Sequence, residues 1–341
     1  MTDRTRLAYA IAGVLTLGVA CGGGSSTPSS PSPPVSSTPT LTTPTNTWTV
    51  AGRVVDTVGQ QPISDAQVSP SWELAATSTG PDGSYKLGAV ANPNTNPYKV
   101  TVSGANLIAH DVWIGWQRGD RNDVTLDAIR NVAPFSMDFY RQLVRGTYDQ
   151  PGAPWPVLRW NVSPRFYVKT VDQNGRPIEP EVLQVVRDGL LRAVPAFTGG
   201  RLTGSLESGT ESRPQADGWV NVDIVRDPNE RSTCGRAFVG ANPGSITLYD
   251  DVCSCGSVKI PGAVAMHEVG HVLGFFHVPD NRSVMYPYIP GNCPPGDLSA
   301  NEKFHAALAY TRPRGNTDPD NDPSSGKLLT GSTFPRILAD R

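Results

Sequence analysis

Charge of either sign is scarce in this chain: 18% of its residues are Asp, Glu, Lys or Arg, and they nearly cancel to a net −2. A nucleic-acid binder carries a basic excess, so no nucleic-acid partner is expected. Long apolar runs are also missing. No stretch reaches the roughly 20 apolar residues that a membrane-spanning helix needs. Histidine is rare, with five in 341 residues, and three of these fall within eleven positions of one another. Cysteine is as rare, with five. Glycine (34) and proline (32) are plentiful, so turns and loops are frequent. Apolar residues at 38% suffice to build cores, which excludes wholesale disorder. The length suggests two domains with room for tails.

Residues 1–21 read as an export signal. Arg4 and Arg6 precede an uncharged run from Leu7 to Ala20, too short to span a membrane. Leu17-Gly18-Val19-Ala20-Cys21 resembles a bacterial lipoprotein signal, with its Leu one position further from the Cys than usual. The resemblance implies lipidation of Cys21 and membrane association through that anchor. A plain secretory signal gives a secreted protein instead. Either way the expected location is extracytoplasmic. From Gly22 to Thr47, 23 of 26 residues are Gly, Ser, Thr or Pro and none is charged, the composition of a linker.

Residues 48–130 read as an all-β sandwich. Thr49 to Asp56 alternates, Pro81-Asp82-Gly83-Ser84 marks a tight turn, and Tyr98–Ser103 and Asp123–Leu126 give further strands. Gly52-Arg53-Val54-Val55-Asp56, the run Gln61 to Val68 and the run Asp82 to Leu87 together resemble the carboxypeptidase regulatory-like family. That resemblance implies a transthyretin-like sandwich of about 80 residues. Nothing in it points to catalysis. His110, Trp113 and Trp116 are readable as a ligand patch, but packing is the expected role.

Residues 131–160 are broken by Pro134, Pro151, Pro154 and Pro156 and read as a connector, or as an ordered segment lying on the next domain, with a short helix over 136–144. Residues 161–312 read as an α+β domain. Strands are expected at Arg165–Thr170, Trp219–Val225, Arg236–Val239 and Ser245–Tyr249, and helices at Glu181–Val194 and Ile260–Phe276. A last helix runs from the capping box Ser299-Ala300-Asn301-Glu302 to about Tyr310. His305 in that helix is expected to be structural, facing solvent or a helix seam.

The chemistry lies in His267-Glu268-Val269-Gly270-His271-Val272-Leu273-Gly274-Phe275-Phe276-His277. His267 and His271 at i, i+4 share one helical face and can grip one metal. Gly274 lets the chain turn out of the helix, so that His277 returns as a third ligand. Three nitrogens leave a position open for water, the mark of catalytic zinc. Glu268, beside the first ligand, can reach that water as general base.

The pattern resembles the metzincin metallopeptidases. Ser283-Val284-Met285-Tyr286-Pro287, with Met285 eight residues beyond His277, looks most like the matrixin branch. The resemblance implies one zinc, a Met-turn at Met285 supporting it from below, a substrate pocket walled by Pro287, Tyr288 and Ile289, and protein or peptide substrates. A Tyr ligand is not implied, because Pro287 stands two residues after the Met. The pro-segment Cys that blocks zinc in matrixins has no counterpart between Cys21 and Cys234.

Cys234, Cys253, Cys255 and Cys293 are an even set in an exported chain and imply two disulfides. Cys253 and Cys255 are too close to pair, so Cys234 and Cys293 are expected to take one each. Asp318, Asp320 and Asp322 suggest a calcium loop, but Pro323 replaces its Gly and no closing Glu follows, so residues 313–341 are expected to be a flexible, solvated tail. The reading is therefore an extracytoplasmic zinc endopeptidase. Its rival is a surface-binding or adhesion protein in which the sandwich works and the protease domain is idle.

Overall fold

Alternating strands build the first part of the molecule. The computed structural model describes residues 47–340 except 72–74, 92–97, 115–119, 228, 231, 251, 255–258, 289–295, 321 and 323–336. The export signal, the linker, Cys21, Trp116, Cys255, Ile289 and Cys293 therefore lie outside or almost wholly outside the described residues. The strands are β1 (Thr47–Asp56), β2 (Gln67–Pro70), β3 (Thr77–Ser78), β4 (Ser84–Ala91), β5 (Tyr98–Ser103), β6 (Leu107–Ile108), β7 (His110–Ile114) and β8 (Arg121–Arg130). They form two four-stranded sheets, ordered β4-β1-β8-β6 and β3-β2-β5-β7. The expected tight turn lies between β3 and β4, where Gly83 takes φ 76° and its N–H donates to Gly80 O.

One apolar core serves both sheets, including Val54, Val68, Leu87, Val100, Val102 and Leu126. The two-residue period of a strand gives β8 a second duty. Val124, Leu126 and Ala128 face this core, while Ile129 packs into the core of the next part.

After β8 comes α1 (Met137–Arg145), capped by Ser136, whose side chain accepts from Phe139 N, and ended by Gly146 in the left-handed region. Phe139, Tyr140, Leu143, Val144, Val157 and Trp160 are buried in the core of the following region. The segment 131–160 is thus ordered against that region.

A six-stranded sheet follows, ordered β10-β9-β11-β13-β12-β14. Its strands are β9 (Arg165–Lys169), β10 (Ser205–Gly209), β11 (Trp219–Val225), β12 (Gly235–Phe238), β13 (Gly244–Tyr249) and β14 (Ile337–Asp340). β9, β10, β11 and β13 run parallel, and β12 runs antiparallel to β13 and to β14. Among the described residues three helices accompany the sheet: α2 (Pro180–Thr198), α3 (Gly262–Val272) and α4 (Ala300–Thr311). α2 buries Val182, Val186, Leu190 and Ala193, the stripe its sequence expects. α3 stops short of the expected Phe276, because Gly274 leaves the helix at φ 104°.

The expected solvated tail is corrected in its first part. Asn316 is fully buried, and Asp318 receives hydrogen bonds from both Arg141 and Arg145. Asp322 receives one from Arg312 and one from Asn316. These carboxylates answer arginines on α1 and at the end of α4. β14 lies in the same expected tail but is paired along β12.

His110 is buried beside Asp127, in the packing role expected of it, and Trp113 is about one-third exposed. His305 is fully buried in the seam between α4 and α1. Its Nδ1 donates to Asn301 O at 2.8 Å and its Nε2 accepts from Ser136 N at 2.9 Å. Burial lowers its pKa from the ordinary 6.5. As pH falls past 6.5 the unfolded chain gains a proton that the folded chain refuses. Stability should therefore fall with pH until the folded ring also titrates, at most by about 1.4 kcal/mol per pH unit. Denaturant midpoints from pH 7 to 5 should slope less in His305→Gln than in the wild type.

Candidate metal centre

α3 supplies the first two ligands because a helix brings i and i+4 to one face. His267 Nε2 and His271 Nε2 lie 2.9 Å apart. The turn at Gly274 brings His277 back, with ring centroids 5.3 Å from His267 and 4.8 Å from His271. One ring nitrogen of each of the three lies within 4.8 Å of the others. All three side chains are buried.

The opposite nitrogen of each ring is held by an acceptor. His267 Nδ1 donates to Val284 O at 2.5 Å, and His271 Nδ1 to Phe275 O at 2.8 Å. His277 Nδ1 meets Asp149 Oδ1 at 2.8 Å. Carbonyl acceptors fix His267 and His271 as Nδ1–H tautomers, so their Nε2 atoms are both lone-pair donors. Two such atoms at 2.9 Å repel unless a proton or a metal ion lies between them. The residues thus fit a metal, and a three-imidazole set suits zinc with an open position.

Glu268 is fully buried next to the first ligand. Its carboxylate lies against β12 at Gly235, where a Cβ would come within 2.0 Å of Glu268 Oε1. Only glycine leaves room for it there. Met285 is fully buried beneath α3, with its Sδ only 2.5 Å from where a Gly270 Cβ would stand.

The turn carrying Met285 is tied to α4 by Glu302. One carboxylate oxygen accepts from Ser283 Oγ at 2.5 Å and Met285 N at 3.1 Å, and the other from Ser299 N at 2.7 Å. The capping box is therefore present, and its Glu also holds the floor of the site. Pro287 and Tyr288 follow at the surface, with Tyr288 exposed and its ring 5.6 Å from that of Tyr286. Ile289, the third expected pocket residue, lies outside the described residues.

Cys234 and Cys253 form a disulfide, one of the pairings expected, joining the start of β12 to the segment after β13. It closes a loop of 19 residues, worth about 3 kcal/mol by loss of unfolded-chain entropy. The partners expected for Cys255 and Cys293 lie outside the described residues. No local sequence pattern marks Asp149 or Gly235, whereas Ser283 lies in the run around Met285.

A model of the Matrixin family of peptidases (Peptidase_M10) matches residues 259–302, which span α3, the Met285 turn and the start of α4. The match supports a peptidase of the metzincin type, and with it zinc as the metal. No curated protein matches the chain. Among solved structures, a chain of a type II cohesin–X-dockerin complex from Acetivibrio cellulolyticus matches with 16% identity and a TM-score of 0.20. The match covers 24% of this chain and 56% of that one, a likeness too slight to carry any argument.

Proposed function

We propose that the chain is an extracytoplasmic zinc endopeptidase that hydrolyses peptide bonds in protein or peptide substrates. The observation that carries this is the convergence of His267, His271 and His277, each with its Nδ1 already held. When bound, zinc supplies Lewis acidity to the scissile carbonyl and lowers the pKa of a coordinated water. Glu268 takes a proton from the attacking water at its carboxylate and returns it to the leaving nitrogen. The Nδ1 partners hold the three rings in orientation, so they need no reorientation during turnover. Met285 and Glu302 keep the floor of the site in place.

Location belongs to the same proposal. Cys21 is the lipid attachment point, residues 22–47 tether the folded part away from the membrane, and residues 48–130 are a carboxypeptidase regulatory-like module. The disulfide supports an oxidising compartment. The complete ligand set with Glu268 in place argues against an idle catalytic region.

Digestion of a peptide library tests the activity. Purified chain should carry about one zinc and cut the library, and a chelator should stop cutting until zinc is restored. Cleavage that survives removal of the metal would overturn the reading. A zinc-loaded chain that cuts nothing would favour the surface-binding alternative.

A further inference from the structure

His277 is held differently from the other two histidines. Their Nδ1 atoms face neutral carbonyls of Val284 and Phe275, both within 17 positions of the ring they hold. His277 faces an anion 128 positions away. Both oxygens of Asp149 are engaged there: Oδ1 lies 2.8 Å from His277 Nδ1, and Oδ2 accepts from His277 N at 3.1 Å. The two side chains are 15% and 5% exposed, so water screens the contact little.

The loop bearing Asp149 is itself anchored. Gln150 N donates to Gly146 O at 2.8 Å, and Trp155 N to Arg145 O at 2.9 Å. Arg145 Nε donates in turn to Trp155 O at 2.9 Å. The end of α1 then docks on the chain leading to His277. Phe276 N donates to Leu143 O at 2.7 Å, and the Phe276 ring packs where a Gly146 Cβ would stand, at 2.7 Å. Three contacts in succession, at Leu143, Gly146 and Asp149, hold Phe276 and His277.

From this geometry we infer that Asp149 is a positioning residue for the third metal ligand. It fixes the main chain of His277 through one oxygen and the ring through the other. A carboxylate behind an imidazole fixes the ring's tautomer and raises its basicity toward a metal. The segment expected to connect two domains therefore belongs to the metal centre. The inference rests on the zinc reading above, and it concerns affinity for the ion, not the chemical step.

The test is zinc affinity, measured by competition with a chromogenic chelator on the full chain. Asp149→Ala should bind zinc about 10- to 100-fold more weakly than wild type. Asp149→Asn keeps the shape and one acceptor but loses the charge, and should fall between the two. Cobalt loaded in place of zinc should show a shifted visible spectrum in Asp149→Ala, which a purely structural role would not produce. Melting of the metal-free variants shows whether they are folded. Should Asp149→Ala fail to fold, Asp149→Asn decides alone. Wild-type affinity in a folded variant would overturn the role of Asp149 and leave the peptidase reading intact. A wild-type chain that binds no zinc would overturn both.

Discussion

Glu268→Gln should keep its zinc and lose peptide hydrolysis by about 10²- to 10⁴-fold, the usual cost of removing a general base. Glutamine has the shape of glutamate, so the tight fit against Gly235 is preserved. The amide cannot take a proton from water at neutral pH. The three histidines and their Nδ1 partners are untouched by the change. Metal content by elemental analysis and kcat on a peptide from the library separate the two effects. Near wild-type turnover would mean that another group activates the water. Lost zinc would mean that Glu268 holds the site together.

Arg312→Ala should destabilise the folded unit by about 1–3 kcal/mol, because it leaves two half-buried carboxylates without their partner. Arg312 ends α4, and its side chain is only 3% exposed. It pairs with Asp127 on β8 and, at 3.2 Å, with Asp322. Asp127 also accepts from Thr57 Oγ1 at 2.7 Å and lies 3.4 Å from His110 Nε2. Burial pushes the Asp127 carboxyl up, but the His110 hydrogen bond and the Arg312 charge more than reverse this, holding it well below the usual carboxylate range. Burial raises Asp322, and Arg312 opposes that rise.

Without the arginine both carboxylates gain protons more readily. The loss should therefore shrink as pH falls, since a protonated acid needs no cation. Denaturant midpoints at pH 7 and pH 4 would show this. The matching control is Arg282→Ala, whose pair with Asp280 is largely exposed and whose loss should leave the midpoint in place. Equal effects from the two substitutions would sink the argument.

The parts legible in the sequence are those whose signal is local. The helix carrying His267 and His271 is one, because two histidines four residues apart declare both a helical face and a candidate metal site. β5 and β11 are found at their expected bounds, because their apolar residues alternate. β10 escaped notice, since Ser205-Leu206-Glu207-Ser208-Gly209 is an edge strand with one large apolar residue and nothing to alternate. Ser299 and Glu302 announced a helix start, yet the second oxygen of Glu302 answers Met285, which only the folded chain brings near. Asp318 and Asp322 form a local acidic cluster in the sequence, and their arginine partners arrive from elsewhere. Asp149 and Asp127 likewise stand 128 and 185 positions from the groups they serve. No pattern along the chain marks such pairs.

The placement of those two aspartates bears on how such a protein is inherited. A gene fragment beginning at Asn161 would encode every histidine of the site and the whole of α3 and α4. It would leave behind Asp127 and Asp149, stranding Arg312 with one of its two carboxylates and His277 with neither of its contacts to Asp149. A recombination junction there would carry off the ligands and abandon their support. The region holding the three histidines would not pass between genes with its contacts intact at that boundary. It has to travel with the end of the β region, and changes at Asp127 and Arg312 have to be accepted together.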